Sequence, residues 1–211
     1  MLNNKGFDLW ADNYDKSVDI SDEEGTYPFA RYKIILNEIY NRVLGSSGKK
    51  VLDIGFGTGT LTSKLYEQGC DVFGQDFSEK MIIMAKKKMP NAHLFQGDMT
   101  EGLVIPLLQE KYDSIIATYS LHHLTNEQKI KFIRLLSGLL KDGGSIYIGD
   151  VAFSTWEELE KCKRDAGDNW DDDEIYFVYE ELNKYFPDMV FEQMSCCAGV
   201  LTLRNSLEMK K

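Results

Sequence analysis

Short apolar runs alternate with amphipathic stretches through the middle of the chain, from residue 49 to residue 150. The amphipathic stretches place apolar residues three and four positions apart, which is the spacing of one helix face. The apolar runs have the length of buried strands and read KKVLDI, DVFGQD, AHLFQGD, YDSIIAT and GGSIYIGD. This alternation predicts an α/β fold with a doubly wound, mostly parallel sheet.

Two of the predicted helices carry clear start signals. Ser78 stands at an N-cap position before a stripe of methionines. Thr125 and Gln128 have the spacing of a capping box, and the LKDGG sequence ends the helix that follows them.

The segments that flank this repeat complete a single predicted domain spanning residues 1–211. Residues 1–46 are predicted to form a helical cap, and residues 47–150 form the core of the sheet. Residues 151–211 contain an acidic helical segment and then two apolar stretches around a turn near Ala198 and Gly199. These two stretches predict a C-terminal antiparallel hairpin that brings the sheet to seven strands.

Composition narrows the classes of function. The formal charge of -10 makes a nucleic-acid backbone an unlikely main partner, because phosphate binding needs a basic surface. No apolar run approaches the roughly 18–20 residues of a membrane span. The N-terminus lacks a basic-then-apolar signal segment, and the four cysteines lack CxxC spacing. We therefore expect a cytoplasmic protein with reduced thiols, either a monomer or a homodimer.

The stretch VLDIGFGTGTL, residues 51–61, runs from a predicted strand into a helix through three alternating glycines. Glycines at such a turn let a ligand approach the backbone where a Cβ atom would collide with it. The helix N-terminus that follows presents unpaired N–H groups to an anionic group of the ligand. Either a dinucleotide or the amino-acid moiety of S-adenosylmethionine (SAM) would suit the loop. In the dinucleotide fingerprint, however, the third glycine stands one position later.

The loop with its preceding acid, from Asp53 to Gly59, resembles motif I of the class I SAM-dependent methyltransferases. Three further segments are similar to that family and follow in the same order. GQDFSEKM contains Asp76 at the end of the second strand, Gly97-Asp98-Met99 follows the third strand, and TYSLHHL, residues 118–124, follows the fourth. The resemblance covers residues 49–150 and implies a Rossmann-like methyltransferase fold with SAM as its cofactor.

The resemblance also implies a role for individual residues. Asp53 would lie near the ammonium group of SAM, and Asp76 would accept both ribose hydroxyls. Phe77 would stack on adenine, while Asp98 would bind the adenine amino group. The full predicted cofactor set is Asp53, Gly55, Gly57, Thr58, Gly59, Asp76, Phe77, Asp98, Met99 and Tyr119.

The predicted catalytic residues are His122, His123 and Tyr14. Because the sulfonium already makes the methyl group electrophilic, the enzyme mainly has to position a nucleophile behind it. A general base is needed only for a protonated acceptor of high pKa, and either histidine could serve. Tyr14 belongs to FDLWADNYD, residues 7–15, which resembles a helix that lies over the SAM pocket in small bacterial methyltransferases.

The acceptor is less well defined by the sequence. TYSLHH stands where methyltransferases acting on amide or adenine nitrogens carry an Asn/Asp-Pro-Pro-Tyr/Phe element, so that class is disfavoured. A small-molecule acceptor is the preferred interpretation. A protein or RNA acceptor and a regulatory module that binds SAM without turnover remain open. No metal site is predicted, and the acidic run from Asp168 to Glu174 is expected to be a solvated loop.

Overall fold

The computed structural model of the protein describes residues 26–205, and Tyr14 and the rest of the segment 7–15 lie outside these residues. Eight strands form one sheet: β1 (Lys50–Ile54), β2 (Asp71–Asp76), β3 (His93–Gln96), β4 (Tyr112–Thr118), β5 (Leu140–Phe153), β6 (Phe177–Val178), β7 (Val190–Gln193) and β8 (Ala198–Arg204). Their order is β3-β2-β1-β4-β5-β8-β7, and β6 pairs with the end of β5. Strands β1 to β5 pair in parallel, whereas β8 is antiparallel to both β5 and β7. The predicted mostly parallel α/β sheet is therefore confirmed.

The described chain contains seven α-helices, the first of which precedes β1. They are α1 (Tyr32–Leu44), α2 (Thr60–Glu67), α3 (Glu79–Lys88), α4 (Ile105–Leu108), α5 (Asn126–Ser137), α6 (Trp156–Ala166) and α7 (Tyr179–Leu182). The predicted N-cap forms at α3, where the Ser78 hydroxyl accepts from the Met81 amide. The predicted capping box forms at α5, where Thr125 and Gln128 bond reciprocally.

Hydrophobic cores lie on both faces of the sheet, as a doubly wound fold requires. Helices α1, α2, α3 and α6 bury apolar side chains on one face, and α4, α5 and α7 do so on the other. Helix α1 packs directly against the sheet at Gly149 of β5. The contact is so close that a Cβ atom at Gly149 would lie only 2.6 Å from a methyl carbon of Ile35. Helix α1 thus belongs to the packed core, although its sequence falls within the predicted N-terminal cap.

The C-terminal hairpin forms as predicted, but its turn lies earlier than expected. Ala198 and Gly199 already pair within β8, opposite Val151 and Asp150 of β5, so the turn occupies residues 194–197. The eighth strand, β6, was not predicted because two residues carry no periodic signal. Between residues 26 and 205, no helix combines the length and apolar character needed to cross a bilayer.

Candidate active site

A cavity of about 500 Å³ opens where β1, β2 and β4 end. This edge is the switch point of the sheet, because the chain proceeds outward from β1 in one direction and then from β4 in the other. The loops that follow these three strands form one part of the cavity wall. Two segments outside the central strands, residues 27–32 and 169–174, contribute to the rest.

The glycine loop adopts backbone conformations that require glycine. Gly55 and Gly57 have φ angles of +69° and +55°, in the left-handed region. A Cβ atom at Gly55 would lie 2.4 Å from the Cβ atom of Ser120, so the loop packs closely against the turn after β4. A Cβ atom at Gly57 would meet nothing within 4 Å, because this position opens into the cavity.

Gly59, the third glycine of the motif, is oriented differently. It is the N-cap of α2 with φ +78°, and a Cβ atom here would approach Ala85 and Met89 rather than the cavity. Thr58 is buried and lines the cavity between the second and third glycines. Gly59 therefore shapes the loop by packing against α3.

Asp53 is a buried carboxylate with one unsatisfied oxygen. Its Oδ2 accepts a hydrogen bond from the Thr62 hydroxyl, while Oδ1 has no hydrogen-bond partner among the described residues. Burial is the main cause that raises the pKa of Asp53 to about 7, and repulsion from Asp76 adds to it. The hydrogen bond from Thr62 acts in the opposite direction but is outweighed. Since Asp53 also lines the cavity, it offers a strong acceptor to a cationic ligand group.

Asp76 connects the end of β2 to both neighbouring loops. Its Oδ2 accepts from the Gly57 amide at 2.8 Å, and its Oδ1 accepts from the Ser78 amide at 2.9 Å. The carboxylate thus fixes the glycine loop beside the start of α3 while lining the cavity.

The remaining predicted cofactor residues line the same cavity. Asp98 Oδ1 accepts from the amide and the hydroxyl of Thr100, at 2.8 and 2.7 Å. Tyr119 has a φ of 49°, and its ring packs 5.3 Å from Phe29 and 5.0 Å from Tyr32. The cavity therefore brings together nine of the ten predicted cofactor residues: Asp53, Gly55, Gly57, Thr58, Asp76, Phe77, Asp98, Met99 and Tyr119.

His122 and His123 reach the cavity from the short 3₁₀ turn Leu121–His123 after β4. The buried His122 ring lies between two carboxylates. Its Nδ1 is 2.6 Å from Asp150 Oδ1 on β5, and its Nε2 is 3.3 Å from Glu174 Oε1. His122, His123 and Glu174 each have a side-chain nitrogen or oxygen that could bind a metal ion, and these atoms lie within 4.8 Å of one another. We call these three residues the histidine–glutamate cluster.

Ionisation in this cluster is strongly perturbed. Burial opposes the charge of His122, but the attraction of Asp150 and Glu174 prevails and raises its pKa to about 10. Burial would raise the pKa of Glu174, but His122 and the Tyr176 hydroxyl lower it to about 2. His123 is different, because burial and the neighbouring His122 lower its pKa to about 4.

The two segments of the cavity wall outside the central strands, residues 27–32 and 169–174, contact each other through aromatic rings, and we call them the cover segments. Tyr27 stacks on Trp170 with 5.0 Å between the ring centroids, and its hydroxyl bonds to the Tyr176 hydroxyl. The Asp171 amide donates to the Tyr27 hydroxyl at 3.1 Å. Tyr176 in turn donates to Glu174 Oε2 at 2.8 Å, which links the cover to the cluster.

Sequence reasoning missed the contribution of the acidic run. Most of the run is exposed as expected, but Asp171 and Glu174 line the cavity, and Glu174 is only 22% exposed at its side chain. The expectation of a purely solvated loop is wrong for Glu174, because β6 holds the adjoining residues against β5. Asp150 was also missed, although an acid near the end of a parallel strand is a recognisable signal.

The parallel sheet and the glycine loop at its switch point agree with the family resemblance found in the sequence, and comparisons with known proteins support that resemblance. A family model described as a methyltransferase domain matches residues 51–144. An uncharacterised methyltransferase of Geobacillus sp. (strain WCH70) is 38% identical over 193 residues, which cover 88% of this chain and 87% of the relative. This chain belongs to the SAM-dependent methyltransferase family, and SAM is its cofactor.

Solved structures show the same fold at low sequence identity. The complex of DhpI with S-adenosylhomocysteine (SAH) superposes with a TM-score of 0.69 at 18% identity, over 96% of this chain and 94% of DhpI. The SAH-bound magnesium protoporphyrin IX methyltransferase of Synechocystis PCC 6803 gives a TM-score of 0.64 at 20% identity. That match covers 83% of this chain and 84% of the other. At such identities the similarity establishes the fold and leaves the acceptor open.

Proposed function

We propose that this protein transfers the methyl group of SAM to a small-molecule acceptor by in-line displacement. The observation that supports this proposal is the contact between the two cover segments of the cavity wall. Tyr27 forms hydrogen bonds with Tyr176 and Asp171 and stacks on Trp170. These contacts join the two cover segments. A cavity of about 500 Å³ under such a cover suits ligands of limited size rather than a macromolecular surface.

In this proposal the glycine loop binds the methionine part of SAM. Asp53 Oδ1, buried and without a hydrogen-bond partner in the described chain, would accept from the ammonium group. Asp76 would accept from the ribose hydroxyls while it keeps its two bonds to backbone amides. Phe77, Met99 and Asp98 would surround the adenine, and Gly59 would act indirectly through the packing of the loop.

The acceptor would lie against His122 and His123, under the aromatic cover. A lone pair of its nucleophilic atom forms the new bond to the methyl carbon as the carbon–sulfur bond breaks. The electron pair of the broken bond stays on sulfur, so that SAM becomes SAH. Any proton lost by the acceptor is released to solvent. The chain's own part is to hold the nucleophile in line and to exclude water, and such positioning supplies ~7–11 kcal/mol of a barrier.

The charge of the cavity wall also bears on the acceptor. No lysine or arginine is among the described residues that line the cavity, whereas Asp171 and Glu174 are acidic residues of its wall, with Glu174 beside the histidines. An acceptor that is neutral or positively charged at this end fits such a wall better than a phosphate does. Four free thiols support the further proposal that the protein works in the reducing cytoplasm.

Incubation of the protein with methyl-labelled SAM and cell extract tests the proposal. The extract is separated by ultrafiltration into small molecules and retained macromolecules, and each fraction is assayed alone. We expect label to enter a new compound, chromatographically separate from SAM, in the small-molecule fraction only. Label in retained protein or RNA would replace the proposed acceptor class, and tight SAM binding without transfer to either fraction would instead indicate a regulatory module.

A further inference from the structure

We propose that the histidine–glutamate cluster binds one divalent transition-metal ion through a ring nitrogen of His122, a ring nitrogen of His123 and a carboxylate oxygen of Glu174. The three ligand atoms converge on one side of the cavity, within 4.8 Å of one another. Two histidines and one carboxylate form a ligand set that leaves coordination positions open for another molecule. This inference departs from the expectation, based on sequence, that the chain has no metal site.

The distance between two of the ligand atoms already suits a shared ion. His122 Nε2 and Glu174 Oε1 are 3.3 Å apart. Two ligands bound at ~2.0–2.2 Å to one ion lie roughly 2.8–3.6 Å apart at octahedral or tetrahedral angles. A metal ion would take the place of the proton between these atoms, and the ring nitrogen of His123, within 4.8 Å of both, would move closer to complete the triad.

Two of the three ligand residues, His122 and Glu174, are each oriented by a further hydrogen bond. Asp150 Oδ1 is 2.6 Å from His122 Nδ1 and also accepts from the Val151 amide, so it fixes the ring with Nε2 toward the cavity. The Tyr176 hydroxyl donates to Glu174 Oε2 at 2.8 Å, which directs Oε1 toward His122. Carboxylate–histidine pairs and hydrogen-bonded carboxylates of this kind orient the ligands in known metal sites.

The charges around the cluster also favour a cation. Asp150 is fully buried and its Oδ2 has no hydrogen-bond partner in the described chain, and Glu174 adds a second negative charge nearby. Lys129 is also nearby, but its ammonium lies 4.4 Å from the Phe177 ring centre and donates to the Ile175 carbonyl. A divalent ion that replaces the proton of His122 Nε2 and binds Glu174 would balance the charges of both carboxylates.

The donor atoms indicate which ions the site would take. Imidazole nitrogens with one carboxylate suit Zn²⁺, Fe²⁺, Mn²⁺ or Co²⁺, whereas Mg²⁺ and Ca²⁺ prefer oxygen ligands alone. The open coordination positions face the cavity, so an acceptor with an oxygen donor would be held there. Only this use of the ion rests on the proposed function, since the ion can bind whether or not methyl transfer occurs.

Metal titration of the full-length protein, with any affinity tag removed and after treatment with a chelator, tests the site. Calorimetry with ZnCl₂ should show one ion per chain at a Kd below ~10 μM. Addition of CoCl₂ should produce the visible absorption of Co²⁺ bound to nitrogen and oxygen. Glu174→Gln and His123→Gln should each lose this binding, and Asp150→Asn should weaken it by roughly 10- to 100-fold.

His93→Gln is the matched control, because it removes the remaining histidine of the chain at an exposed position on β3. It should leave metal binding unchanged. SAH titration of every variant shows whether the cofactor site is still folded, and His123→Gln alone decides the question if Glu174→Gln does not fold. Lack of saturable binding of both ions by the wild type would overturn the proposal, as would unchanged Zn²⁺ binding in His123→Gln. Failure of SAH to bind the wild type would count against the proposed function instead.

Discussion

The carboxylate of Asp76 accepts a hydrogen bond from the backbone amide of Gly57, with 2.8 Å between oxygen and nitrogen. This bond joins the end of β2 to the loop that follows β1. It gives Asp76 two tasks, since the same side chain shapes the glycine loop and lines the cavity.

Replacement of Asp76 with Ala should therefore weaken SAM binding. In the proposed binding mode, the ribose hydroxyls would lose a charged partner worth ~1.5–3 kcal/mol. The dissociation constant measured by calorimetry should rise roughly tenfold to a hundredfold. Asp71→Ala, at the exposed start of the same strand, should leave it unchanged. A loss below about twofold in Asp76→Ala would mean that the ribose is bound elsewhere.

Gly57→Val should exclude the cofactor rather than merely strain the backbone. A side chain at Gly57 would project into the open cavity, and its left-handed φ adds a backbone cost of ~1–2 kcal/mol. Gly143→Val is the matched control, because Gly143 has a φ of +74° with open space around it and lies away from the cavity. Both variants should lose similar stability in thermal unfolding, but only Gly57→Val should lose SAH binding. Equal SAH affinity in the two folded variants would contradict the assignment of the loop.

Asp53 should make SAM binding depend on pH near neutrality. Burial raises its pKa to about 7, so the charged form that would attract the SAM ammonium in the proposed binding mode is lost as the pH falls below this value. Affinity should decrease by up to about tenfold per pH unit below pH 7. Asp53→Asn should bind weakly and show a flatter profile. Parallel profiles for the two proteins in calorimetry between about pH 5.5 and pH 8.5 would assign the dependence to other groups.

The same carboxyl group should link stability to pH in the opposite direction. Because burial raises its pKa from 3.8 to about 7, the folded state of Asp53 binds a proton more tightly than the unfolded state does. The stability that this proton provides is full below the unfolded pKa and is lost as the pH rises through about 7. The melting temperature of Asp53→Asn, relative to the wild type, should accordingly rise between pH 5 and pH 8. Asp71→Asn, an exposed change, should show no such trend.

The two cover segments should respond to the cofactor as a unit. Tyr27→Phe removes the hydroxyl that contacts Asp171 and Tyr176 but keeps the ring that stacks on Trp170. In the wild type, hydrogen exchange of residues 26–32 and 169–176 should slow together when SAH is added. In Tyr27→Phe this shared protection should be smaller. Tyr40→Phe, on α1 and outside the cavity wall, is the control. Protection of one segment without the other would show that they move independently.

The sequence predicts the fold well because its signals are local. Strands β2 and β4 have the predicted boundaries, since each is a compact apolar run between polar turns. Helices α3 and α5 begin where a short polar side chain can bond to the first amides. The turn of the hairpin was predicted a few residues late, because Gly199 suggests a turn yet lies in β8, where a Cβ atom would collide with Phe191.

The site is predicted less completely, because part of its wall depends on contacts between residues that are distant in the sequence. The acids at the ends of β1 and β2 follow directly from the strand pattern. Glu174, by contrast, follows a series of exposed aspartates and differs from them only through its contacts with His122 and Tyr176. No periodic pattern in the sequence predicts the contacts of Glu174 with His122 and Tyr176. These contacts can be recognised only in the folded chain, where β6 pairs with β5.

Strand β6 has a wider consequence for how this protein can change over generations. Its two residues pair with Ala152 and Phe153 of β5 and follow closely after the segment 169–174, which lines the cavity. In the proposed binding mode, the residues that surround the cofactor and those that face the acceptor therefore lie in separate stretches of the sequence. Substitutions in residues 169–176 would then alter the choice of acceptor while residues 53–99 stay fixed, so related enzymes would diverge in substrate while they keep one cofactor.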